Sequence, residues 1–397
     1  MKVMTDIFNE IDARKDEVFA IRRYIHQHPE IGFATQKTQA FIQDFLEIEG
    51  MTCISVDAGL IAELKVNEKE QYIAFRADMD ALPIEEKNTH AFVSQEIGKM
   101  HACGHDGHTA ILMETAKILK RYKKYLNYNI LFLFQSAEEG PYPGGGLVMV
   151  EDLKKLGYLE KIKVCFACHI TTEYEVSKFG IRYQNAMAST DEFKITLKGK
   201  GGHPASPHLN IDAISLSAQF IHQMESFMLK GIDPLIPSVL SIGKIQGGTA
   251  KNIVSDTCIM EGTIRNQNEE TRANIIERMK AILEGLKVST ACDFDLDIVH
   301  GLPVLMNDDR AIALVEKIID TYGSEEQKII LREPAMGAED FSFYAERMPV
   351  AFVWLGAGFK EDNKNFHLHN PHFDFHEDAL LYGVKLFASL AINYKSN

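Results

Sequence analysis

The stretch 129–134, apolar almost throughout and closed by Gln135, constrains the fold more than any other part of this chain. A strand with no polar face must be covered on both sides, which is the environment of a parallel sheet between helical layers. Residues 59–66, 71–77, 163–170 and 350–355 read as further strands. Between them, apolar residues recur at helical spacing over 11–28 (Val18, Ile21, Ile25, stopped by Pro29), 38–49 (Phe41, Phe45, Leu46), 109–124 (Ile111, Leu112, Ala116, Leu119) and 379–394. Strands alternating with helices predict an α/β fold with a mostly parallel central sheet. Asp78, Asp80, Glu138, Glu139 and His169 fall just beyond or at the strands' C-terminal ends, where open α/β sheets place their sites.

Between these parts the pattern changes. Alternating or strand-like stretches at 191–198, 238–245, 257–265 and 294–299 enclose helical stretches at 212–229 and 269–286. That order, β-α-β-β-α-β, predicts a ferredoxin-like insert. A chain of 397 residues exceeds a comfortable single core. The expected division is an interrupted domain from 1–187 and 304–397, with an inserted domain at 188–303. A formal charge of −14 argues against nucleic acid or anionic membrane as the main partner. No apolar run approaches the roughly 20 residues of a membrane span, and the amphipathic start is no secretory signal. Six cysteines in so long a chain are not a disulfide scaffold, so a reducing cytoplasm is expected.

Chemistry concentrates in Met100-His101-Ala102-Cys103-Gly104-His105-Asp106-Gly107-His108. The bland reading of one such pair is a buried thiol beside a structural histidine. Three histidines, a cysteine and an aspartate around two glycines are costly to gather unless something binds there. Thiolate and imidazole two residues apart suit a divalent metal, and Gly104 and Gly107 are expected to let the backbone bend and approach the ion. Glu138 and Glu139 sit at the mouth of a buried strand, where adjacent carboxylates repel unless cations lie beside them. One can coordinate while the other handles protons, as metal-assisted hydrolysis requires.

His169 shares its strand face with Cys165 and Ala167, leaving Cys168 to point toward the core; the Cys-x-x-Cys match is expected to be accidental. Of His367, His369 and His372 near the C-terminus, spacing does not single out a ligand. The stretch from Gly199 to His208 reads equally as a surface hairpin loop or a functional one. Arg265, at a strand end, has the geometry of a carboxylate clamp. Glu339 and Asp340 lie in a loop from which they could orient metal ligands.

Taken together these stretches resemble the metal-dependent amidohydrolase/peptidase family of aminoacylases, hippurate hydrolases, indole-acetyl-amino-acid hydrolases and N-acetyldiaminopimelate deacetylases. The resemblance runs from Arg22-Arg23-Tyr24-Ile25-His26 to Leu368-His369-Asn370-Pro371. It is carried by Arg76-Ala77-Asp78-Met79-Asp80-Ala81-Leu82-Pro83, the 101–108 cluster, Ala137-Glu138-Glu139-Gly140 and Gly201-Gly202-His203. It implies a dinuclear-metal exopeptidase-like catalytic domain with a ferredoxin-like lid that also dimerises. Two divalent metal ions per subunit, zinc or manganese, would be held by Cys103, His105, Glu139, His169 and His369, with Glu138 as general base. His203, Asn252 and Arg265 would bind a small N-acyl amino acid, and the chain would form a homodimer or higher homo-oligomer.

Alternatives are a dipeptidase or aminopeptidase on the same fold, with Glu173 as the anchor for a free amine; an N-acetyldiaminopimelate deacetylase; and a non-catalytic metal- or ligand-binding protein. Ser136, Pro141-Tyr142-Pro143 and Thr171-Thr172-Glu173 depart from the family pattern around the expected acyl pocket.

Overall fold

Three helices lead the chain in, α1 (Lys2–Ala13), α2 (Lys15–Gln27) and α3 (Gln36–Ile48). The helical spacing over 11–28 is therefore not one segment. Arg14 leaves the helical range (φ −100°, ψ 11°), and its guanidinium pairs with the buried Glu114 and with Glu17. Each helix buries its own stripe: Met4, Ile7 and Ile11 on α1; Val18, Ile21 and Ile25 on α2. The computed structural model describes residues 2–395. It divides into two compact units, one made of Met187–Leu305 with Pro334–Glu339, the other of the remaining chain.

The first unit continues with β1 (Thr52–Val56), β2 (Gly59–Leu64), β3 (Tyr72–Asp78), α4 (His105–Arg121), β4 (Asn129–Gln135), α5 (Gly145–Lys155), β5 (Ile162–Glu175), β6 (Phe179–Ile181) and β7 (Gln184–Met187). The order of its main sheet is β1-β2-β4-β3-β5-β14-β6-β13, where β13 is Lys328–Ile330 and β14 is Val350–Gly358. β4, β3, β5 and β14 run parallel, and β1 and β2 close one side antiparallel. Every residue of β3 and β4 is buried, as the all-apolar stretch demanded. Phe75 of β3 lies between Phe166 of β5 (5.5 Å between ring centroids) and Phe387 of α10 (Asp378–Asn393; 5.0 Å), joining sheet to helix layer.

In the second unit β8 (Ser189–Lys198), α6 (Ala213–Lys230), β9 (Ser238–Gly247), β10 (Thr257–Asn266), α7 (Glu269–Thr290) and β11 (Asp293–His300) give the expected β-α-β-β-α-β order. Its sheet, β11-β8-β10-β9, is antiparallel throughout. Phe193, Ile195 and Leu197 alternate along β8 onto one face and meet Phe220, Met224, Ile275 and Met279 of the two helices. The remaining elements are β12 (Leu305–Asn307), α8 (Asp309–Tyr322) and α9 (Ser342–Ala345). No helix among the described residues is long and apolar enough to cross a membrane.

α4 starts at His105, four residues before the apolar spacing predicted. Gly104, at φ +89°, makes the left-handed turn that puts His105 and Asp106 in the first helical turn. The period was hidden because these polar residues are buried and do not mark a solvent face. Gly107 serves packing rather than approach to an ion: a Cβ there would lie 2.5 Å from Ile170 Cδ1 and 2.7 Å from Phe375 Cζ.

Candidate metal centre

The C-terminal ends of β3 and β4, the middle of β5, the start of α4 and the loop before α10 converge in the first unit. The donor atoms of Cys103, His105 and His169 all lie within 4.8 Å of one another. So do those of Cys103, Glu139 and His369, and those of His105, Glu138 and Glu139. The sets share Cys103, His105 and Glu139, so six side chains surround one centre. Cys103 Sγ is 3.4 Å from His169 Nε2, and His369 Nε2 is 2.9 Å from Glu139 Oε1. His369, which spacing left undistinguished, is anchored beside the cluster by its backbone N–H, which donates to the Ala102 carbonyl at 2.8 Å.

The histidine tautomers fit a metal. His105 Nδ1 lies 2.9 Å from the Asp80 carbonyl oxygen and His169 Nδ1 lies 2.8 Å from the Ile170 carbonyl oxygen. A carbonyl only accepts, so each ring carries a proton on Nδ1 and turns Nε2, the atom that would face a metal, inward. His105 Nε2 is buried and makes no hydrogen bond; its nearest carboxylate oxygens are 3.8 Å (Asp78) and 4.0 Å (Glu138) away. His108 is different. Its Nδ1 meets Asp78 Oδ1 at 2.6 Å and its Nε2 accepts from the Ile170 amide at 2.8 Å, so both nitrogens are occupied in joining α4 to β5.

Electrostatics point the same way. Burial opposes charge on His105, yet Asp78, Asp80 and Glu139 outweigh it and raise its pKa to about 10. Burial and then the carboxylates of Glu139, Glu138 and Asp78 push the Cys103 thiol well above its ordinary value. Burial and the neighbouring His108 hold His169 well below the usual histidine range, a neutral ring. Negative charge thus exceeds positive in a buried place, an imbalance that divalent cations remove; bound cations would reverse the thiol's preference.

Two buried networks position the carboxylates. Asp80 accepts from the amides of Glu138 (3.0 Å) and Glu139 (3.1 Å), fixing the turn after β4. Arg76 donates to Gln135 (3.0 Å), Asp78 (2.7 Å) and Asp340 (2.7 Å), and Asp340 also accepts from the Gly146 amide at 2.7 Å. Gly145 returns so close beneath this turn that a Cβ would sit 1.7 Å from the Ser136 carbonyl oxygen. Asp340 is thus linked through Arg76 to Asp78, which meets His108, while Asp80 was legible as a polar residue at a strand end and as part of the 76–83 motif. Asp80→Ala is expected to weaken metal affinity 10–100-fold, roughly the effect of losing an outer-sphere partner. Competition with a chromophoric chelator measures it; unchanged affinity would remove Asp80 from this role.

The three residues expected to bind substrate belong to the second unit. His203 follows β8, with its Nδ1 accepting from the Ala205 amide at 3.1 Å; Asn252 lies in the exposed loop before β10; Arg265, on β10, donates to the Met336 carbonyl at 3.2 Å. Glu173 is exposed on β5. All six cysteines are free, and Cys168 packs into the core as the alternation required.

Comparison with known proteins adds identity to this geometry. Residues 74–393 match the model of peptidase family M20/M25/M40. An N-acetylcysteine deacetylase of Bacillus subtilis is 34% identical, covering 94% of this chain and 95% of its own. An N-acyl-L-amino acid amidohydrolase of Geobacillus stearothermophilus is 37% identical over 76% of this chain and 80% of its own. The crystal structure of the Bacillus subtilis YXEP protein, described as a dinuclear metal binding peptidase from the M20 family, superposes with a TM-score of 0.82. It is 32% identical and covers 96% of this chain and 98% of its own. With a whole-length match of sequence and fold around a cluster of thiol, imidazole and carboxylate, the chain belongs to peptidase family M20/M25/M40 and is a hydrolase.

Proposed function

We propose that this hydrolase cleaves the amide bond of N-acyl amino acids to a carboxylic acid and a free amino acid. The observation that carries the reading is Glu138 placed beside the Cys103–His105–Glu139 donors, with its amide held by Asp80. Relatives named as deacetylases and amidohydrolases of acylated amino acids support it. Cys103, His105, Glu139, His169 and His369 are assigned as ligands of two divalent cations, zinc or manganese; the thiolate favours zinc. Bound there, such cations make water a nucleophile near neutral pH and polarise the scissile carbonyl.

Glu138 takes the proton from the attacking water and returns it to the leaving nitrogen. Its carboxylate, 9% exposed, lies 4.0 Å from His105 Nε2. His203 is assigned to the developing oxyanion, and Asn252 and Arg265 to the substrate's carboxylate, on the family resemblance. The same resemblance assigns the insert, residues 188–303, as a lid and dimerisation domain beside the catalytic domain of 1–187 and 304–397, and the cysteine usage assigns the enzyme to the cytoplasm.

The acetyl and benzoyl derivatives of one amino acid, and a free-amine dipeptide ending in the same amino acid, offered to metal-reconstituted protein, test the assignment. Acylated substrates are expected to turn over and the free amine to be inert; turnover of the free amine alone would make this a peptidase instead. Dialysis against a chelator is expected to abolish activity, and zinc or manganese to restore it. Undiminished turnover at verified zero metal content would sink the metal assignment.

A further inference from the structure

A second group of metal-type donors lies in the first unit, apart from the centre above: His26 on α2, with Glu86 and His90 in the long connection between β3 and α4. We infer that these three side chains form a further divalent-cation site of zinc type, which pins that connection to α2.

The spacing is that of ligands, not merely of neighbours. Glu86 Oε1 lies 3.2 Å from His26 Nε2 and 3.3 Å from His90 Nε2, and all three donor atoms lie within 4.8 Å of one another. Around a tetrahedral ion with bonds of roughly 2.0–2.1 Å, adjacent ligand atoms are about 3.3 Å apart. Two edges of such a tetrahedron are therefore present. Imidazole nitrogen and carboxylate oxygen suit zinc and its neighbours better than magnesium or calcium.

The surroundings prepare both rings. His26 Nδ1 meets Asp106 Oδ2 at 2.8 Å, the carboxylate–histidine arrangement that orients a ligating ring. Asp106 follows His105 in sequence, but its carboxylate joins Arg22 and His26, away from the first centre. The His90 ring is stacked on Phe92, with centroids 3.8 Å apart and planes within 18°. Both of its nitrogens are shielded from solvent and neither makes a hydrogen bond, an unusual state for a buried polar group. Glu86 is held by the Ser94 amide at 2.7 Å through its other oxygen, and its Oε1 faces the two rings while also accepting from Asn88 Nδ2 at 3.1 Å.

Charge allows a dication. The carboxylates of Asp106, Asp374 and Glu377 meet the guanidiniums of Arg22 and Arg23, while Glu86 faces His26 and His90. With neutral imidazoles the group is negative. The competing occupant is a proton: His26 as an imidazolium between Asp106 and Glu86 satisfies the same atoms.

The consequence concerns order ahead of the first centre. Residues 84–99 contain no helix or strand, and they lead directly to the 100–108 cluster. Connections this long without secondary structure need an anchor or a function. The backbone bond from Gln95 N to the Gln27 carbonyl (2.9 Å) already ties this segment to the end of α2, and a cation at His26–Glu86–His90 would add a second tie.

Metal-stripped protein reloaded with zinc and passed through a desalting column, then analysed by plasma mass spectrometry, decides the matter. Wild type is expected to hold one zinc per chain more than His90→Gln, whatever the total. That difference separates this site from the catalytic pair: a wild-type total of one with none in the variant would keep this site and end the dinuclear assignment. Glu86→Gln, which preserves shape, is the second variant and should show the same loss. Zinc should also slow proteolysis within 84–99 in wild type and not in either variant. Equal zinc content in all three proteins would overturn the inference, and its failure would leave the proposed amidohydrolase untouched.

Discussion

Glu138→Ala is expected to lower kcat by about 10²–10⁴-fold, the usual contribution of a general base, while the zinc or manganese content stays that of wild type. The reasoning is local. Glu138 is one residue before Glu139, the carboxylate that meets His369 at 2.9 Å. The amides of both are held by one carboxylate, Asp80. Truncating the Glu138 side chain leaves that amide and its bond in place, so the turn and the remaining donors persist. What disappears is the only group in the assignment able to carry a proton from water to nitrogen. Steady-state kinetics with parallel metal analysis reads both quantities. A variant with full turnover would end the assignment of the base; one that lost its metal would show Glu138 to be a ligand. Glu138→Asp, which withdraws the carboxylate by one methylene, should retain partial kcat with little change in KM.

Arg76→Leu carries the largest expected effect on stability. Arg76 is buried on β3 and forms ion pairs with Asp78 and Asp340, each at 2.7 Å. Despite burial, His105, His108 and Arg76 hold Asp78 well below the usual carboxylate range, so it is charged in the folded protein. Removing one partner of a buried pair strands the other charge and typically costs about 3–5 kcal/mol. Here two carboxylates lose their partner at once, and Gln135 loses a donor. The expected result is an early unfolding transition in urea, with metal affinity reduced because Asp78 packs against His105 and His108. Arg76→Lys should recover less than half of the loss, since an ammonium cannot serve three acceptors with a planar fork. A urea midpoint within experimental error of wild type would show that this network does not hold the strand ends in place.

Much of this architecture was legible in the residues because hydrophobic period and backbone state are local properties. β4 followed from one apolar stretch, and the antiparallel unit from alternation at 191–198 and 294–299. The errors have local causes too. Arg14 interrupts the apolar spacing without disturbing its period, so the last turn of α1 and the whole of α2 read as one helix over 11–28. The start of α4 was misplaced because His105, Asp106 and His108 are polar yet buried, and periodicity assumes that polar positions face water.

The set of groups available for chemistry was determined by the amino-acid order: a thiol and imidazoles within 101–108, paired carboxylates after a buried strand, and histidines near the C-terminus. Only the tertiary structure decided which of them meet and in what protonation state. His369 is selected because its amide reaches the Ala102 carbonyl, and His108 is set aside because Asp78 and the Ile170 amide occupy both its nitrogens. The physical reason is range. Helix and strand preferences act over a few neighbouring residues, whereas the direction of a lone pair depends on what folding places beside it, here from positions as distant in the chain as 102 and 369.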